Sequence, residues 1–287
     1  MPVPERGTGA RPHTRMPTHA HKGAADMSDK HERVALVSGA TSGIGLAVAR
    51  LLAEQGHRVF LGSRDAGNVA RTVKELTADG LDVDGATLDV RSALSIENFV
   101  QAAVDRFGTV DVLVNNAGRS GGGVTADIDD ELWYDVVETN LNSVFRLTRA
   151  VLTTGGMRHR SRGRIINIAS TAGKQGVVLG APYSASKHGV VGFTKALGNE
   201  LAPTGITVNA VCPGYVETPM AQRVRAGYAA AYDTSEDAIM EKFTAKIPLG
   251  RYSTPEEVAG LVGYLASDTA ASITAQALNV CGGLGNF

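Results

Sequence analysis

The chain has 287 residues, of which 43% are hydrophobic, and this length and apolar content suffice for one large α/β domain. Its 28 Lys and Arg residues nearly balance its 29 Asp and Glu residues, so composition gives no sign of a nucleic-acid or membrane-surface protein, and no apolar run reaches the ~18 residues of a membrane-spanning helix. Cys212 and Cys281 show no metal-ligand spacing, which points to a reducing cytoplasm and argues against a disulfide framework or a bound metal.

The first 32 residues differ in composition from the rest of the chain. They are rich in Pro, Gly, His and charged residues and lack the apolar region of a secretory signal, so we expect residues 1–32 to be a disordered extension. His13, His19 and His21 are too widely spaced to favour a metal-binding tract. Met16 and Met27 offer alternative translation starts, of which Met27 directly precedes the periodic pattern.

From Arg33 onward, short β-branched runs alternate with amphipathic segments such as 45–56 and 95–108. Strands are predicted at 33–38, 58–62, 83–90, 111–116, 163–170, 206–211 and 277–280. This alternation predicts right-handed βαβ crossovers and one doubly wound, Rossmann-type α/β domain over residues 33–287, with a seven-stranded parallel sheet and helices on both faces. Segment 217–250 is less regular, and its position before the last strand predicts a helical lid over a ligand crevice.

A glycine-rich loop, "SGATSGIG" at 38–45, connects the first strand to a helix. Gly39, Gly43 and Gly45 permit a tight turn and a close backbone approach, while the helix N-terminus offers unpaired amides to a pyrophosphate. The loop therefore predicts a dinucleotide site, although a glycine-rich turn alone is weak evidence.

The end of the second strand bears on the choice of cofactor. An acidic residue there would bind the ribose 2′-hydroxyl of NAD, whereas Arg64 supplies charge for a 2′-phosphate. Thr41 and Ser42 add hydroxyl donors, and NADPH is therefore favoured. Asp65 is a competing candidate for the acidic role if the turn shifts by one residue.

The stretch "APYSASKHGVVGFTKAL" at 181–197 places Tyr183 and Lys187 four residues apart, on one face of a helix. A cation beside a phenol favours the phenolate, which predicts a lowered tyrosine pKa and an acid catalyst. The alternative is that Tyr183 packs and Lys187 is solvated, which is common for such a pair in isolation.

Several short motifs occur in an order that resembles the short-chain dehydrogenase/reductase family over nearly all of residues 33–287. They are "GATSGIG" at 39–45, "LDV" at 88–90, "NNAG" at 115–118, "TN" at 139–140, a serine at 170, "YSASK" at 183–187 and "PGYVET" at 213–218. The resemblance implies an oxidoreductase.

The same resemblance implies a catalytic set. Ser170 would hydrogen-bond the substrate carbonyl, and Tyr183 would protonate its oxygen. Lys187 would lower the tyrosine pKa and bind the nicotinamide ribose, and Asn140 would hold a water that relays protons. The implied cofactor contacts are Gly39, Thr41, Ser42, Gly43, Ile44, Gly45, Arg64, Asp89, Val90, Asn116, Ala117, Gly118, Tyr183, Lys187, Pro213, Gly214, Val216 and Thr218.

Longer stretches resemble one branch of that family more closely, the ketoreductases of bacterial aromatic (type II) polyketide synthases, of the actinorhodin ketoreductase type. They include "NNAGRSGGG", "VNAVCPGYVETPMA" and "TAQALNVCGGLGNF". The resemblance implies NADPH-dependent reduction of one ketone, typically at C9, of a poly-β-keto chain on an acyl carrier protein. That branch commonly has Pro-Gly-Gly where this chain has Ser120, Gly121 and Gly122, a departure that leaves product stereochemistry open, with the S alcohol favoured.

Three arginines are expected at the rim of the cleft, where an acidic carrier or a phosphopantetheine phosphate would approach. These are Arg64, Arg91 and Arg119, and ordinary solvation is their alternative role. Candidates for lining a substrate channel, or for packing in the core, are Val177, Val178, Leu179, Tyr215, Met220 and Tyr228.

Two other functions compete with this interpretation. A 3-oxoacyl-carrier-protein reductase of fatty acid synthesis would share the catalytic set and the cofactor. A non-catalytic NADP-binding sensor or scaffold would not need an acid catalyst. The family resemblance also implies a homotetramer, with helices predicted at 131–152 and 182–202 supplying apolar faces for a dimer interface.

Overall fold

The computed structural model describes residues 33–285, so the predictions for residues 1–32 lie outside the described residues. Seven parallel strands within this range form one sheet in the order β3-β2-β1-β4-β5-β6-β7. The strands are β1 Val34–Ser38, β2 Arg58–Ser63, β3 Val83–Thr87, β4 Val112–Asn115, β5 Gly163–Ile168, β6 Ile206–Pro213 and β7 Ala277–Val280. The predicted doubly wound sheet is confirmed, with β3 and β5 shorter than expected because residues 88–90 and 169–170 leave the sheet as loops.

Helices cover both faces of the sheet. Their bounds are α1 Gly43–Glu54, α2 Ala66–Ala78, α3 Ala93–Phe107, α4 Asp130–Val137, α5 Ser143–Leu152, α6 Ala181–Leu201, α7 Pro219–Ala231, α8 Glu236–Thr244 and α9 Pro255–Ala266. None of these helices is both long and apolar enough to cross a membrane.

One helix of the sequence interpretation is divided in the structure. The predicted helix at 131–152 becomes α4 and α5, separated by a π-helical turn at Glu138–Asn142. The Asn140 side chain in this turn bonds to main-chain atoms of Arg119. Because that partner is distant in sequence, helical periodicity gave no sign of the interruption.

The sheet has a separate apolar core on each face, and alternate residues of β1 contribute to the two. Ala35 and Val37 pack with residues of α1, α2 and α9, while Val34 and Leu36 pack with residues of α3, α5 and α6. A parallel sheet buried on both faces explains why the strands read as continuous apolar runs. The two cores pack against both faces of the sheet and so fix the positions of the strand ends at its carboxyl edge.

Segment 217–250 contains two helices, α7 and α8, as the prediction of a helical segment required. They are joined by an aromatic cluster, in which Tyr228 of α7 packs edge to face against Phe243 of α8 at 5.2 Å between centroids. The Tyr215 ring stacks on Phe243, at 4.7 Å, and on Tyr252, at 5.3 Å. The Tyr228 hydroxyl donates to the carbonyl of Val178 at 2.6 Å. These contacts attach the helical pair to the carboxyl edge of the sheet.

Candidate active site

The glycine loop lies at the carboxyl end of β1, beside the point where the strand order reverses. Gly39 and Gly43 have φ angles of 65° and 53°, which favour glycine. A Cβ on Gly45 would overlap the Gly39 carbonyl oxygen and the Asn116 carboxamide. The Asn116 Nδ2 donates to the carbonyls of Ser38 and Gly39 at 3.0 and 2.9 Å. The loop is thus held tightly against the end of β4.

The start of α1 is open to a ligand. Ser42, the N-cap residue, forms no side-chain cap bond, whereas Asp65 caps α2 and Ser92 caps α3. Free amides at a helix N-terminus favour an anion such as a pyrophosphate. The Thr218 methyl group would lie 3.1 Å from a Cβ on Gly43, so segment 213–218 approaches the same loop.

The structure separates the roles of Arg64 and Asp65. The Asp65 carboxylate accepts from the backbone N–H of Asn68 at 2.7 Å, as the N-cap of α2. Arg64 is exposed at the end of β2 and takes part in no ion pair within residues 33–285. The acidic side chain is therefore engaged locally, while the guanidinium is available to a 2′-phosphate.

The other predicted cofactor residues lie at the same edge of the sheet. Asp89 is hydrogen-bonded by Arg91, which together with the more distant charge of Arg64 lowers the pKa of that carboxyl, and Val90 is buried. β6 ends at Pro213, and Val216 is buried next to it. Also at this edge are Thr41, Ile44, Ala117, Gly118 and Gly214.

Three of the four predicted catalytic residues meet between β5 and α6. Ser170 follows β5, and its hydroxyl is hydrogen-bonded to Tyr183 in the first turn of α6. The Lys187 Nζ lies 5.8 Å from the centroid of the Tyr183 ring and donates to the Ile168 carbonyl at 2.7 Å. Pro182 is in the first turn of α6, where its missing N–H costs no helical bond.

Burial controls the pKa values of this pair. It raises the pKa of Tyr183, against a smaller lowering by the Ser170 hydrogen bond, and it lowers the pKa of Lys187 to about 8. The expected net lowering of the tyrosine pKa is therefore wrong for these side chains alone, because desolvation of the phenol dominates. At neutral pH the phenol carries its proton.

Asn140 reaches this group from the π-helical turn. Its Oδ1 accepts from the Arg119 N–H at 2.8 Å, and its Nδ2 donates to the Arg119 carbonyl at 3.0 Å and to Ser186 Oγ at 3.1 Å. A Cβ on Gly118 would lie 3.3 Å from Asn140 Oδ1 and 3.8 Å from Lys187 Nζ. Gly118 thus lies between the asparagine and the lysine.

The glycines after "NNAGR" allow their loop to pack closely against Val136 and against the segment that contains Leu179. A Cβ on Gly121 would overlap Val136, and one on Gly122 would overlap the Leu179 carbonyl, which accepts from the Gly123 N–H at 2.9 Å. Leu179 itself has a φ of 59°, which is strained for a branched residue. The loop with Ser120 and the segment with Val177 therefore lie side by side.

A family model described as short chain dehydrogenase matches residues 33–229. The chain belongs to this family. As a short chain dehydrogenase it is an oxidoreductase, and the predicted family is confirmed.

Three relatives illustrate the similarity of this short chain dehydrogenase to known proteins. A Streptomyces virginiae protein named as a ketoacyl reductase of the monensin polyketide synthase is 81% identical, over 91% of this chain and 100% of its own. The 3-oxoacyl-[acyl-carrier-protein] reductase FabG of Vibrio cholerae is 42% identical, over 88% and 97%. A crystal structure of an actinorhodin polyketide ketoreductase variant with NADPH is 62% identical, with a TM-score of 0.87 over 89% and 98%.

Arg91 and Arg119, predicted at the rim of the cleft, share an acidic partner in this short chain dehydrogenase. Arg91 pairs with Asp89 and, at 3.2 Å, with Asp135, and Arg119 pairs with the other oxygen of Asp135. Neither guanidinium is freely solvated. Asp135 was not singled out in the sequence, because nothing local marks it as the partner of two residues on other loops.

Tyr215 and Met220, predicted to contact substrate, lie in or next to the lid. Tyr215 is held between two rings of the aromatic cluster, and burial raises its pKa to about 12. Met220 is partly buried on the first turn of α7. Tyr215 therefore stabilises the lid, and its contact with substrate stays a prediction.

Sequence reasoning missed two hydroxyls that organise the site. Ser38 Oγ accepts from the N–H groups of Asn116 and Ala117, both at 3.1 Å, and so joins β1 to β4. Ser186 bonds to Asn140. Both serines lie inside quoted motifs, "SGATSGIG" and "YSASK", so their positions were the available signal.

Proposed function

We propose that the chain is an NADPH-dependent ketoreductase that reduces one ketone, at C9, of a poly-β-keto chain held on an acyl carrier protein in aromatic polyketide biosynthesis. The observation that carries the proposal is the partly buried Tyr183, hydrogen-bonded to Ser170 and next to Lys187, at the edge of the sheet that carries the glycine loop. The relatives named for polyketide synthases support the substrate class.

The residues at the carboxyl edge fit NADPH. The glycine cradle excludes side chains where a pyrophosphate would lie, α1 begins with free amides, and Arg64 is available to the 2′-phosphate. When bound, NADPH supplies the hydride. The protein binds and orients the cofactor, and its side chains supply the proton that the substrate oxygen receives.

Tyr183 is the proton donor. Because burial raises its pKa, the phenol is protonated at neutral pH and can donate to the substrate oxygen as negative charge develops there. Ser170 hydrogen-bonds the same oxygen and fixes the ketone in place. Lys187, with a pKa lowered to about 8, exchanges protons near neutral pH and so suits the reprotonation of Tyr183.

Asn140 assists this reprotonation from the π-helical turn. Its carboxamide is engaged by Arg119 and Ser186, so the side chain holds the turn and its main chain is the part that would bind a relay water. Gly118 keeps the space between Asn140 and Lys187 free of side chains.

Substrate and carrier would approach the two adjoining loops. Val177 and Met220 offer apolar contact to a polyketide, and Ser120 with Gly121 and Gly122 shapes the opposite wall, where the S alcohol is favoured. Arg91 and Arg119 are the candidates for an acidic carrier or its phosphopantetheine phosphate, because Arg64 is assigned to the cofactor, and both would meet the carrier while paired with Asp135.

The test is an assay of the purified protein with NADPH and trans-1-decalone, a bicyclic ketone that mimics a cyclised intermediate. We expect turnover that falls at least about 10³-fold in Tyr183→Phe, as for loss of a general acid. Tyr264→Phe, on α9, is the matched control and keeps full activity. Absence of turnover in the native protein, with NADPH binding intact, would contradict the bicyclic substrate class.

The similarity to FabG supports a second candidate, reduction of linear 3-oxoacyl groups on a carrier protein. Acetoacetyl carrier protein and trans-1-decalone separate the two candidates when kcat/KM is measured for both. A preference for the linear thioester would favour fatty acid synthesis.

We also propose that the protein is a homotetramer in the reducing cytoplasm, where its two free cysteines stay reduced. The support is an exposed apolar face on α4 and α5. Trp133 and Phe145 are 39% and 46% exposed, and Phe145 packs edge to face against Phe193 of α6. Light scattering of Phe145→Asp tests this interface, since a buried charge there would dissociate the assembly.

A further inference from the structure

Ser186 links the two elements that carry the proposed catalytic residues. It lies three residues after Tyr183 and directly before Lys187, and is 1% exposed. Its Oγ donates to the Tyr183 carbonyl at 2.8 Å and accepts from Asn140 Nδ2 at 3.1 Å. A serine that bonds back to its own helix is common. The second bond, to a different element, indicates a further role.

The partner of that second bond belongs to an unusual turn. Asn140 lies in the π-helical segment Glu138–Asn142, and such segments are rare and frequent at functional sites. Its carboxamide holds both the N–H and the carbonyl of Arg119, 21 residues away. The turn and the Arg119 loop therefore form one unit, and Ser186 bonds this unit to α6.

We propose that Ser186 is a positioning residue that fixes the Asn140 turn relative to Tyr183 and Lys187. The proposal rests on the proposed function, in which this turn takes part in the return of a proton to the tyrosine. Without the hydroxyl, Asn140 Nδ2 keeps only its bond to Arg119, and the turn can shift against α6. Misplacement by about 1 Å can cost on the order of 10²-fold in rate.

The experiment measures Ser186→Ala with NADPH and trans-1-decalone. We expect kcat to fall about 10-fold while the Kd for NADPH changes less than about twofold, because the cofactor cradle is untouched. The solvent deuterium isotope effect on kcat should increase, since proton return becomes slower. Ser186→Thr keeps a hydroxyl that can bond within a helix, and it should recover most of the lost kcat.

Thr148→Val is the matched control. The Thr148 hydroxyl is also buried and also accepts from an asparagine, the Asn115 Nδ2, at 3.0 Å. After the substitution Asn115 keeps its bond to Asn167 at 2.8 Å, just as Asn140 keeps its bond to Arg119. Both variants lose one buried bond from an asparagine amide, and Ser186→Ala loses in addition the bond from its Oγ to a carbonyl of its own helix, that of Tyr183. We expect a comparable decrease in Tm, with kcat and the isotope effect changed only in Ser186→Ala.

The proposal is overturned if Ser186→Ala keeps the kcat and the isotope effect of the native protein, or if Thr148→Val changes them equally. Should Ser186→Ala not fold, Ser186→Cys decides in the same way, because its thiol bonds weakly in a similar volume. Failure of the proposed function is distinguishable. It would show as activity retained by Tyr183→Phe, whatever Ser186→Ala does.

Discussion

The two edges of the sheet bury cations in different ways. At the carboxyl edge, Lys187 is 5% exposed and bonds to a carbonyl, and no carboxylate of the described residues contributes to its lowered pKa of about 8. At the amino edge, Arg164 is 2% exposed and donates to the carbonyls of Gly163 and Ser267. Asp268 lies next to it and pairs with Arg33 and Arg162.

The difference distinguishes cations that stabilise the fold, the arginines of the amino edge, from one that can exchange a proton, Lys187. The arginines face the carbonyl end of α9 and a carboxylate, and even Arg162, whose pKa burial lowers to about 10, stays charged at neutral pH. Lys187 lacks such compensation, so its proton is available in the working range. Stability should therefore depend on the amino edge and activity on the carboxyl edge.

Lys187→Met should have the largest effect on activity. We expect kcat to fall about 10²- to 10³-fold, because the proton relay to Tyr183 is lost. The free energy of unfolding at pH 7 should rise by about 1–2 kcal/mol, since a desolvated charge is removed at the cost of one hydrogen bond. Steady-state kinetics and urea melts measure the two effects. Lys195→Met, exposed on the same helix, should change neither, and a destabilised Lys187→Met would contradict the comparison.

Arg164→Met should show the reverse pattern. Loss of the buried guanidinium removes its hydrogen bonds to two carbonyls, which should cost about 2–3 kcal/mol of unfolding free energy. Urea melts compare it with Arg158→Met, an exposed arginine on the loop before β5, which should stay within about 0.5 kcal/mol of the native protein. Both variants should have the kcat of the native protein at urea concentrations below their unfolding transitions. A loss of kcat in Arg164→Met alone would contradict the contrast between the two edges.

The pH dependence should follow Lys187. Its folded pKa of about 8 lies below the ordinary 10.5, so the unfolded state binds more protons between these values and stability from this group rises with pH in that window. The rate of ketone reduction should fall about 10-fold above pH 8, as the lysine loses the proton it passes on. A pH profile of kcat checks this. Lys187→Arg, which cannot deprotonate, should lack the inflection near pH 8.

Asp268→Asn should have the smallest effect. The carboxylate side chain is 68% exposed, so its pairs with Arg33 and Arg162 are screened and should contribute less than about 1 kcal/mol. The loss should shrink further in 1 M salt. Urea melts at two salt concentrations measure it, and a loss independent of salt would show that the pairs act as buried ones.

Much of the candidate site could be predicted from residues that lie close together in the sequence. Tyr183 and Lys187 are four residues apart, and the glycine loop lies between a strand and a helix, so both could be predicted from neighbours in sequence. The role of Asp65 was left open, yet its bond to the N–H of Asn68, three residues on, is also a local pattern. The preference of aspartate for the N-cap position therefore distinguishes the two roles from neighbours in sequence alone.

Other features depended on partners far apart in the chain. The π-helical turn at Asn140 is held by Arg119, and Arg91 and Arg119 meet at Asp135. The direction of the tyrosine pKa was predicted wrongly, because the spacing revealed the cation but not the burial.

The sequence by itself determined the parallel sheet, the glycine loop and the tyrosine–lysine pair, because these follow from periodicity and from contacts within a few residues. Only the tertiary structure decided which charges are compensated, which hydroxyls join separate elements, and how far Tyr183 and Lys187 are removed from water. Those properties depend on the packing of the whole sheet, since desolvation and long-range hydrogen bonds arise only when distant segments come together.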